Sequence, residues 1–402
     1  MKITLITRAF GVVFLLLPLF AYNQDTLRWQ PWQNGYLDIH HINTGRGNAA
    51  FFVFPDGTTL LFDAGNIQVE PFEAKYPPLR VTPTRPDASQ TPAQWIANYI
   101  RQVMPKERKP QIDYAVVSHF HQDHYASLIP LAQLIPIQKF VDRAGPDYNY
   151  PLDLQQAYQT DTLFQRYSAW AKKTGVETLR AGRKDQIRLN IKPAQYPNFQ
   201  VRNVKANAAI WDGKSDQAKI HFTPDSILQN GKFNENPLSL ALKISYGAFD
   251  YFTGGDMTGL SDYGNPHWFD TETPTAKSVG QVEALTLNHH GNRDATNAFF
   301  VKTLAPKVIF QQAWCSDQPG QEVFYRLTST QLYPGERALF ANSMQTETKV
   351  TLGPWFVQGY KSMEGHLVLR VLPDGKTFYV LVLDDTVAKI KVKQIFGPYT
   401  SY

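Results

Sequence analysis

Cysteine is almost missing from this chain: Cys315 is the only one in 402 residues. No intrachain disulfide can form and no cysteine cluster can hold a metal, so the fold must be held by its core. An excess of one charge is missing too. Lys and Arg number 40 against 35 Asp and Glu, a formal net charge of +5. That balance permits anionic substrates without demanding them, and no Lys/Arg run marks a nucleic-acid tail. There is no internal repeat, no low-complexity tract, and no Gly-X-Ser-X-Gly elbow to present a serine nucleophile. Long apolar runs are confined to one place. Behind Met1, Lys2 and Arg8, residues 9–21 are almost wholly apolar, and polar sequence resumes at Tyr22. The run is shorter than the roughly 20 residues a spanning helix needs, and Pro18 interrupts it. This predicts a cleaved signal peptide over residues 1–21, a secreted or periplasmic protein, and no stable membrane insertion after cleavage.

The hydrophobic share, 43%, is that of a globular core. The length suits one large domain or two ordinary ones. Alternating or β-branched runs predict strands at 36–42, 49–54 and 59–62, with Pro55-Asp56-Gly57 turning the second into the third. Residues 67–92 are rich in Pro, Thr and charge and read as loop. Thr91 and Pro92 open a helix running to about Met104. A buried strand follows at 113–118. Residues 152–174 read as one helix, and 175–234 as short strands and loops. A hairpin is expected at 238–244 and 249–253. Further strands are expected at 284–287 and 308–310, with a helix near 295–303 between them. A β meander over 365–393 turns at Pro373-Asp374-Gly375. Short strands alternating with helices indicate an α/β or α+β class.

The richest segment is Ser118-His119-Phe120-His121-Gln122-Asp123-His124. Imidazole and carboxylate are the ligands a borderline or hard divalent metal takes. In an extended backbone His119 and His121 point the same way. Asp123 and His124 open the next segment and turn back toward the same space, so one motif can feed two adjacent metal positions. Three later points carry matching chemistry. In Gly254-Gly255-Asp256 the glycines allow a tight turn and the aspartate can bridge two ions. Asn288-His289-His290-Gly291 ends a strand. Successive strand residues face opposite ways, so one of the two histidines is expected to ligate, His290 by preference. Asp63, at the end of a strand, can orient a ligand histidine. His40, His41, His221, His267 and His366 show no ligand spacing and read as structural or surface.

These segments resemble the metallo-β-lactamase superfamily. Within it they are most similar to the hydrolase domains of competence DNA-uptake (ComEC-type) proteins and their soluble exported relatives. The residues that carry the resemblance are Leu61-Phe62-Asp63-Ala64-Gly65, the run from Ser118 to His124, Asn236-Pro237-Leu238-Ser239-Leu240-Ala241-Leu242, Thr253-Gly254-Gly255-Asp256 and His289-His290-Gly291. The resemblance implies a four-layer αβ/βα sandwich over residues 28–330, with 335–402 a β-rich extension packed on it. It implies that His119, His121 and Asp256 hold one metal, and Asp123, His124, His290 and Asp256 a second. The ions would be zinc, or else manganese. Asp123 and Asp256 would be the catalytic carboxylates of a phosphodiester hydrolase, acting on a small molecule or on nucleic acid. Two departures stand out. Where many members carry another histidine this chain has Glu235-Asn236, so the first metal is one imidazole short. Asn236, Glu235, His289 or water would complete it or meet substrate. Gln318-Pro319-Gly320-Gln321 replaces the His-Pro pairs usual near the substrate. Hydrolysis of a lactone, thioester or β-lactam is the alternative activity. A non-catalytic periplasmic or surface binding protein is the alternative role. Nothing in the sequence fixes oligomeric state.

Overall fold

The computed structural model describes residues 28–228, 233–260 and 264–402; the expected signal peptide lies outside them. Among the described residues, no helix is long and apolar enough to cross a membrane. In chain order the first strands are β1 (Leu37–His41), β2 (Ala50–Val53), β3 (Thr59–Phe62), β4 (Ile112–Val116), β5 (Ile137–Asp142) and β6 (Val176–Thr178). Then come β7 (Phe199–Ala206), β8 (Ala209–Trp211), β9 (Ala218–Ile220), β10 (Ala241–Tyr246) and β11 (Phe249–Thr253). The last are β12 (Ala284–Thr286), β13 (Val308–Gln311), β14 (Ala338–Ala341), β15 (Tyr360–Ser362), β16 (His366–Val371), β17 (Thr377–Leu383) and β18 (Val392–Thr400).

They form two nine-stranded sheets, ordered β18-β17-β16-β1-β2-β3-β4-β5-β6 and β15-β14-β13-β12-β11-β10-β7-β8-β9. Each sheet is mixed. β3 to β6 run parallel in the first, and β11 to β15 run parallel in the second.

Strand alternation builds the layers. Leu37 and Ile39, Ala50 and Phe52, and Leu60 and Phe62 face the second sheet, where Leu242, Tyr251 and Phe310 meet them. The alternate residues Phe51, Val53 and Leu61 pack outward with the helix Pro92–Val103. The other sheet is covered by the helices Glu272–Val279, Ala298–Leu304 and Gln321–Thr328. The result is helix, sheet, sheet, helix, the αβ/βα arrangement. Both faces of β2 and β3 are buried, which explains why they read as continuous apolar runs.

Several expectations change in detail. The helix at 92–103 has the expected Thr91 cap, completed by Gln94 as a capping box. The segment 152–174 is two helices, Leu154–Ala157 and Thr162–Thr174. They are split because Asp161 accepts from the Leu163 and Phe164 amides and so starts a new helix. The supposed loop at 67–92 contains the helix Val69–Lys75, which buries no residue fully and so left no apolar stripe to read. The region 335–402 is not an addition to the outside. It supplies β14 and β15 to one sheet and β16 to β18 to the other, and β16 pairs directly with β1.

Three histidines without ligand spacing are core residues. His40 sits 3.0 Å from the Tyr99 hydroxyl, and His366 accepts from the Asn43 amide. His41 packs against Phe310, ring centroids 4.4 Å apart and tilted by 31°, with neither ring nitrogen hydrogen-bonded. Burial pushes all three down to about 3; Arg370 adds to this for His40, and His40 adds to it for the other two. The unfolded chain therefore binds protons that the native chain refuses between about pH 6.5 and 3. Stability is complete above that window and falls as pH falls through it, by about 1.4 kcal/mol per pH unit for each histidine well below 6.5. The urea midpoint should drop steeply from pH 6 to pH 4.5. His41→Phe should take about 1.4 kcal/mol per pH unit off that slope; an unchanged slope would refute the assignment.

Candidate metal centre

All the loops that matter leave one edge of the sandwich. Asp63 follows β3, the His-rich run follows β4, Asp256 follows β11 and His289-His290 follow β12. Carboxyl ends of parallel strands are where such sheets leave a crevice. β10 is antiparallel to β11, so Asn236, just ahead of β10, arrives at the same edge.

The His-rich run leaves β4 at Val116 and stays non-helical until His121, which precedes the short helix Gln122–Tyr125. His119 and His121 face one another, Nε2 to Nδ1, at 3.0 Å. Phe120 points away into a cluster with Tyr125, Tyr148, Phe164 and Tyr167. That anchor holds the two imidazoles on the crevice side.

The helix turn brings Asp123 and His124 back, and two glycines let neighbouring loops close over it. A Cβ on Gly65 would lie 1.8 Å from the Asp123 carbonyl oxygen, and one on Gly47 would lie 2.3 Å from it. Asn48 donates to that same carbonyl and Ala64 donates to the His124 carbonyl. Gly65→Ala must therefore move the Asp123-His124 turn. It should cost about 1–3 kcal/mol of stability and at least one equivalent of bound metal, read by urea titration and elemental mass spectrometry.

The side chains converge in two clusters. Asp123, His124, Asp256 and His290 place one ligand atom each within 4.8 Å of one another; His119, His121 and Asp256 do the same. Asp256 belongs to both. His290 Nε2 lies 2.9 Å from Asp123 Oδ2, and His124 Nε2 lies 3.0 Å from Asp256 Oδ1. Neither atom of this last pair has a hydrogen-bond partner, although both are buried. Unpaired buried polar atoms aimed at one point are what a cation satisfies. Imidazole with carboxylate suits zinc, manganese or iron. The residues fit a pair of divalent ions.

The surroundings orient the ligands. Asp63 Oδ2 accepts from His124 Nδ1 at 2.8 Å and from the Ser118 hydroxyl at 2.8 Å, while Oδ1 accepts from the Ser118 amide at 2.7 Å. The His290 Nδ1–H donates to the Gln312 carbonyl at 3.0 Å. Each leaves Nε2 directed at the carboxylates, the usual outer-shell device. Burial pushes Asp256 up, but His124, His290, His119 and His289 outweigh it and hold the carboxyl well below the usual range. Burial likewise pushes His124 down, and Asp256, Asp123 and Asp63 outweigh it and hold that imidazole well above its ordinary value. A metal arriving here displaces a proton.

Two expectations need correction. His289 and His290 do not alternate, because both adopt left-handed backbone, with φ of 48° and 56°. His289 therefore also faces the crevice, its Nε2 3.8 Å from Asp256 Oδ2 and 3.1 Å from Asn236 Nδ2, and its Nδ1 2.6 Å from Asp294 Oδ1. Glu235 turns away. Its carboxylate receives Arg143, the Tyr158 hydroxyl and the Phe120 amide, and cannot also serve a metal. Asn236 stays at the edge.

The brace beneath His289 and His290 had no sequence signal. Buried Glu272 accepts from Asn288 Nδ2 at 2.7 Å and from the Thr296 and Asn297 amides at 2.6 and 2.7 Å. Gln312 and Trp314 were equally invisible, since they act through a carbonyl and an indole beyond β13.

No protein-family model matches the chain, and no curated protein is similar to it in sequence. Solved structures similar to it include a protein described as a metal-dependent hydrolase, from Parabacteroides distasonis ATCC 8503. It is 12% identical with a TM-score of 0.38, over 77% of this chain and 94% of that one. CmlA, a diiron β-hydroxylase from Streptomyces venezuelae, is 12% identical with a TM-score of 0.37, over 85% of this chain and 55% of CmlA. Zn(2+)-bound PqqB from Methylobacterium extorquens is 11% identical with a TM-score of 0.36, over 83% of this chain and 99% of PqqB. Likeness this loose decides no activity, and what the centre can do follows from its own residues.

Proposed function

We propose that this chain is a metal-dependent hydrolase of phosphodiesters, exported by the signal peptide expected at residues 1–21. The observation that carries the hydrolase reading is the sharing of Asp256 between two clusters, His119/His121 on one side and the buried Asp123/His124/His290 on the other. Bound there, a pair of divalent ions, zinc by preference, would supply Lewis acidity and lower the pKa of a water toward neutrality. The protein's residues do the rest. Asp256 fixes the spacing of the two clusters. Asp123 opens onto the crevice, so its carboxylate can accept a proton from the attacking water. Asp63, Ser118 and the Gln312 carbonyl hold His124, His119 and His290 in their orientations. His289, backed by Asp294, reaches the open side, where its Nε2 can meet substrate oxygen. The phosphodiester assignment rests on the resemblance of the motifs in the sequence to those of ComEC-type domains.

The test is metal content followed by hydrolysis. Two equivalents of metal and turnover of a bis-aryl phosphodiester support the reading. Turnover of lactones or thioesters but no phosphodiester would replace the substrate class. Metal binding without turnover of any of them would favour the binding-protein role.

A further inference from the structure

Above the metal clusters stands a cavity of about 530 Å³, within the range of small-molecule sites. Its floor is made by His121, Asp123, Asp256, His289 and His290. Its wall includes Ile67, Phe72, Leu79, Trp314 and Cys315, which belong to a separate small core that also holds Val69 and Val81. Phe72 meets Trp314 edge to face at 5.1 Å and Tyr76 at 5.1 Å. Trp314 also lies against the centre, with Nε1 3.3 Å from His290 Nε2.

This wall is fixed in place. Val81 bridges Cys315, the Thr82 amide donates to the Trp314 carbonyl, and Ser316 donates to the Arg80 carbonyl. Glu73 ties the helix Val69–Lys75 to Arg80 and to the Val81 amide. Yet Tyr76 is 44% exposed, and the helix buries none of its residues fully. Among the described residues lining the cavity, Lys75 is the only Lys or Arg, and Asp317 faces the same space. A nucleic-acid strand needs a track of cations along its backbone, and this lining does not provide one.

We infer that the group seated here is an aromatic or branched aliphatic arm, held on Phe72, Tyr76 and Trp314. The substrate is then a small lipophilic phosphoester rather than a polynucleotide. This rests on the hydrolase reading for the word substrate, but seating of the arm can be measured without turnover. Apolar area leaving water, added to ring stacking, should favour an aryl arm over a methyl arm by about 30-fold or more.

The experiment is calorimetry of the metal-replete protein with methylphosphonate and with 1-naphthylmethylphosphonate. The expected result is at least 30-fold tighter binding of the naphthyl probe. Phe72→Ala/Tyr76→Ala should reduce that ratio to about threefold, with methylphosphonate affinity and metal content unchanged. Tyr76→Ala alone, at an exposed position, should give an intermediate ratio if the double variant folds poorly. Equal binding of the two probes, no binding of either, or a preference that survives both variants would overturn the inference. So would a single-stranded oligothymidylate that displaces the naphthyl probe at comparable concentration. Failure of the hydrolase reading looks different: the naphthyl preference persists while aryl phosphodiesters are not cleaved.

Discussion

Asp256→Asn should empty both metal clusters. The substitution keeps size and hydrogen-bonding capacity and removes one negative charge. Asp256 stands 3.0 Å from His124, 3.6 Å from His119 and 3.5 Å from His290. It is the one residue common to both ligand sets. Metal content should fall from two equivalents to fewer than one, and any hydrolytic activity by about three orders of magnitude or more. Asp63→Asn is the informative control. It touches no ion site directly but loses one of its two acceptor oxygens, so that the His124 Nδ1–H and the Ser118 amide can no longer both be satisfied. It should keep the metal stoichiometry and weaken affinity by about 10–100-fold. If Asp63→Asn and Asp256→Asn behaved alike, Asp256 would be a structural carboxylate and the two-cluster reading would be wrong.

The contrast between these two aspartates shows what the sequence could reveal. Asp256 was legible because Gly254-Gly255-Asp256 ends a strand, and the same holds for the run from His119 to His124. Strand ends have a fixed geometry, so residue type and spacing translate into direction. The hairpins and the Thr91-capped helix were legible for the same local reason. His289 was not, because period-two alternation holds only while the backbone stays extended, and two left-handed residues in succession break it. The helix at Val69–Lys75 was missed because its apolar residues line a cavity wall instead of a continuous core face. The meander at 365–393 read correctly as strands, while the helices Thr346–Leu352 and Pro354–Gln358 ahead of it were not anticipated; the place of the meander beside β1 depends on pairing across more than 300 residues. Glu235 misled for a different reason. Its partners Arg143 and Tyr158 come from distant loops, and nothing near it in sequence says it is already paired.

Glu235→Ala should therefore act on stability and not on metal coordination. Arg143 is fully buried, and its guanidinium is held by both Glu235 oxygens. It also donates to the Tyr150 carbonyl and to Asn207, and stacks on Phe120 at 4.7 Å. Removing the carboxylate leaves a buried cation without its counter-charge, which typically costs about 3–5 kcal/mol. The Phe120 amide and the Tyr158 hydroxyl lose an acceptor in the same step. Arg143→Met combined with Glu235→Leu should recover much of that loss, since an apolar pair of similar volume replaces the ions without leaving one unpaired. Protein that remains folded should keep two equivalents of metal in the single and the double variant, because the carboxylate never faced the ions. Urea titration paired with elemental mass spectrometry separates the outcomes. Full stability with one metal lost would make Glu235 a ligand after all, and would require Arg143 to find another anion. The position of Phe120 makes that outcome costly. The same ring that carries Arg143 on one side is the anchor that holds His119 and His121 toward the crevice, so the buried ion pair and the metal centre share a support without sharing a ligand.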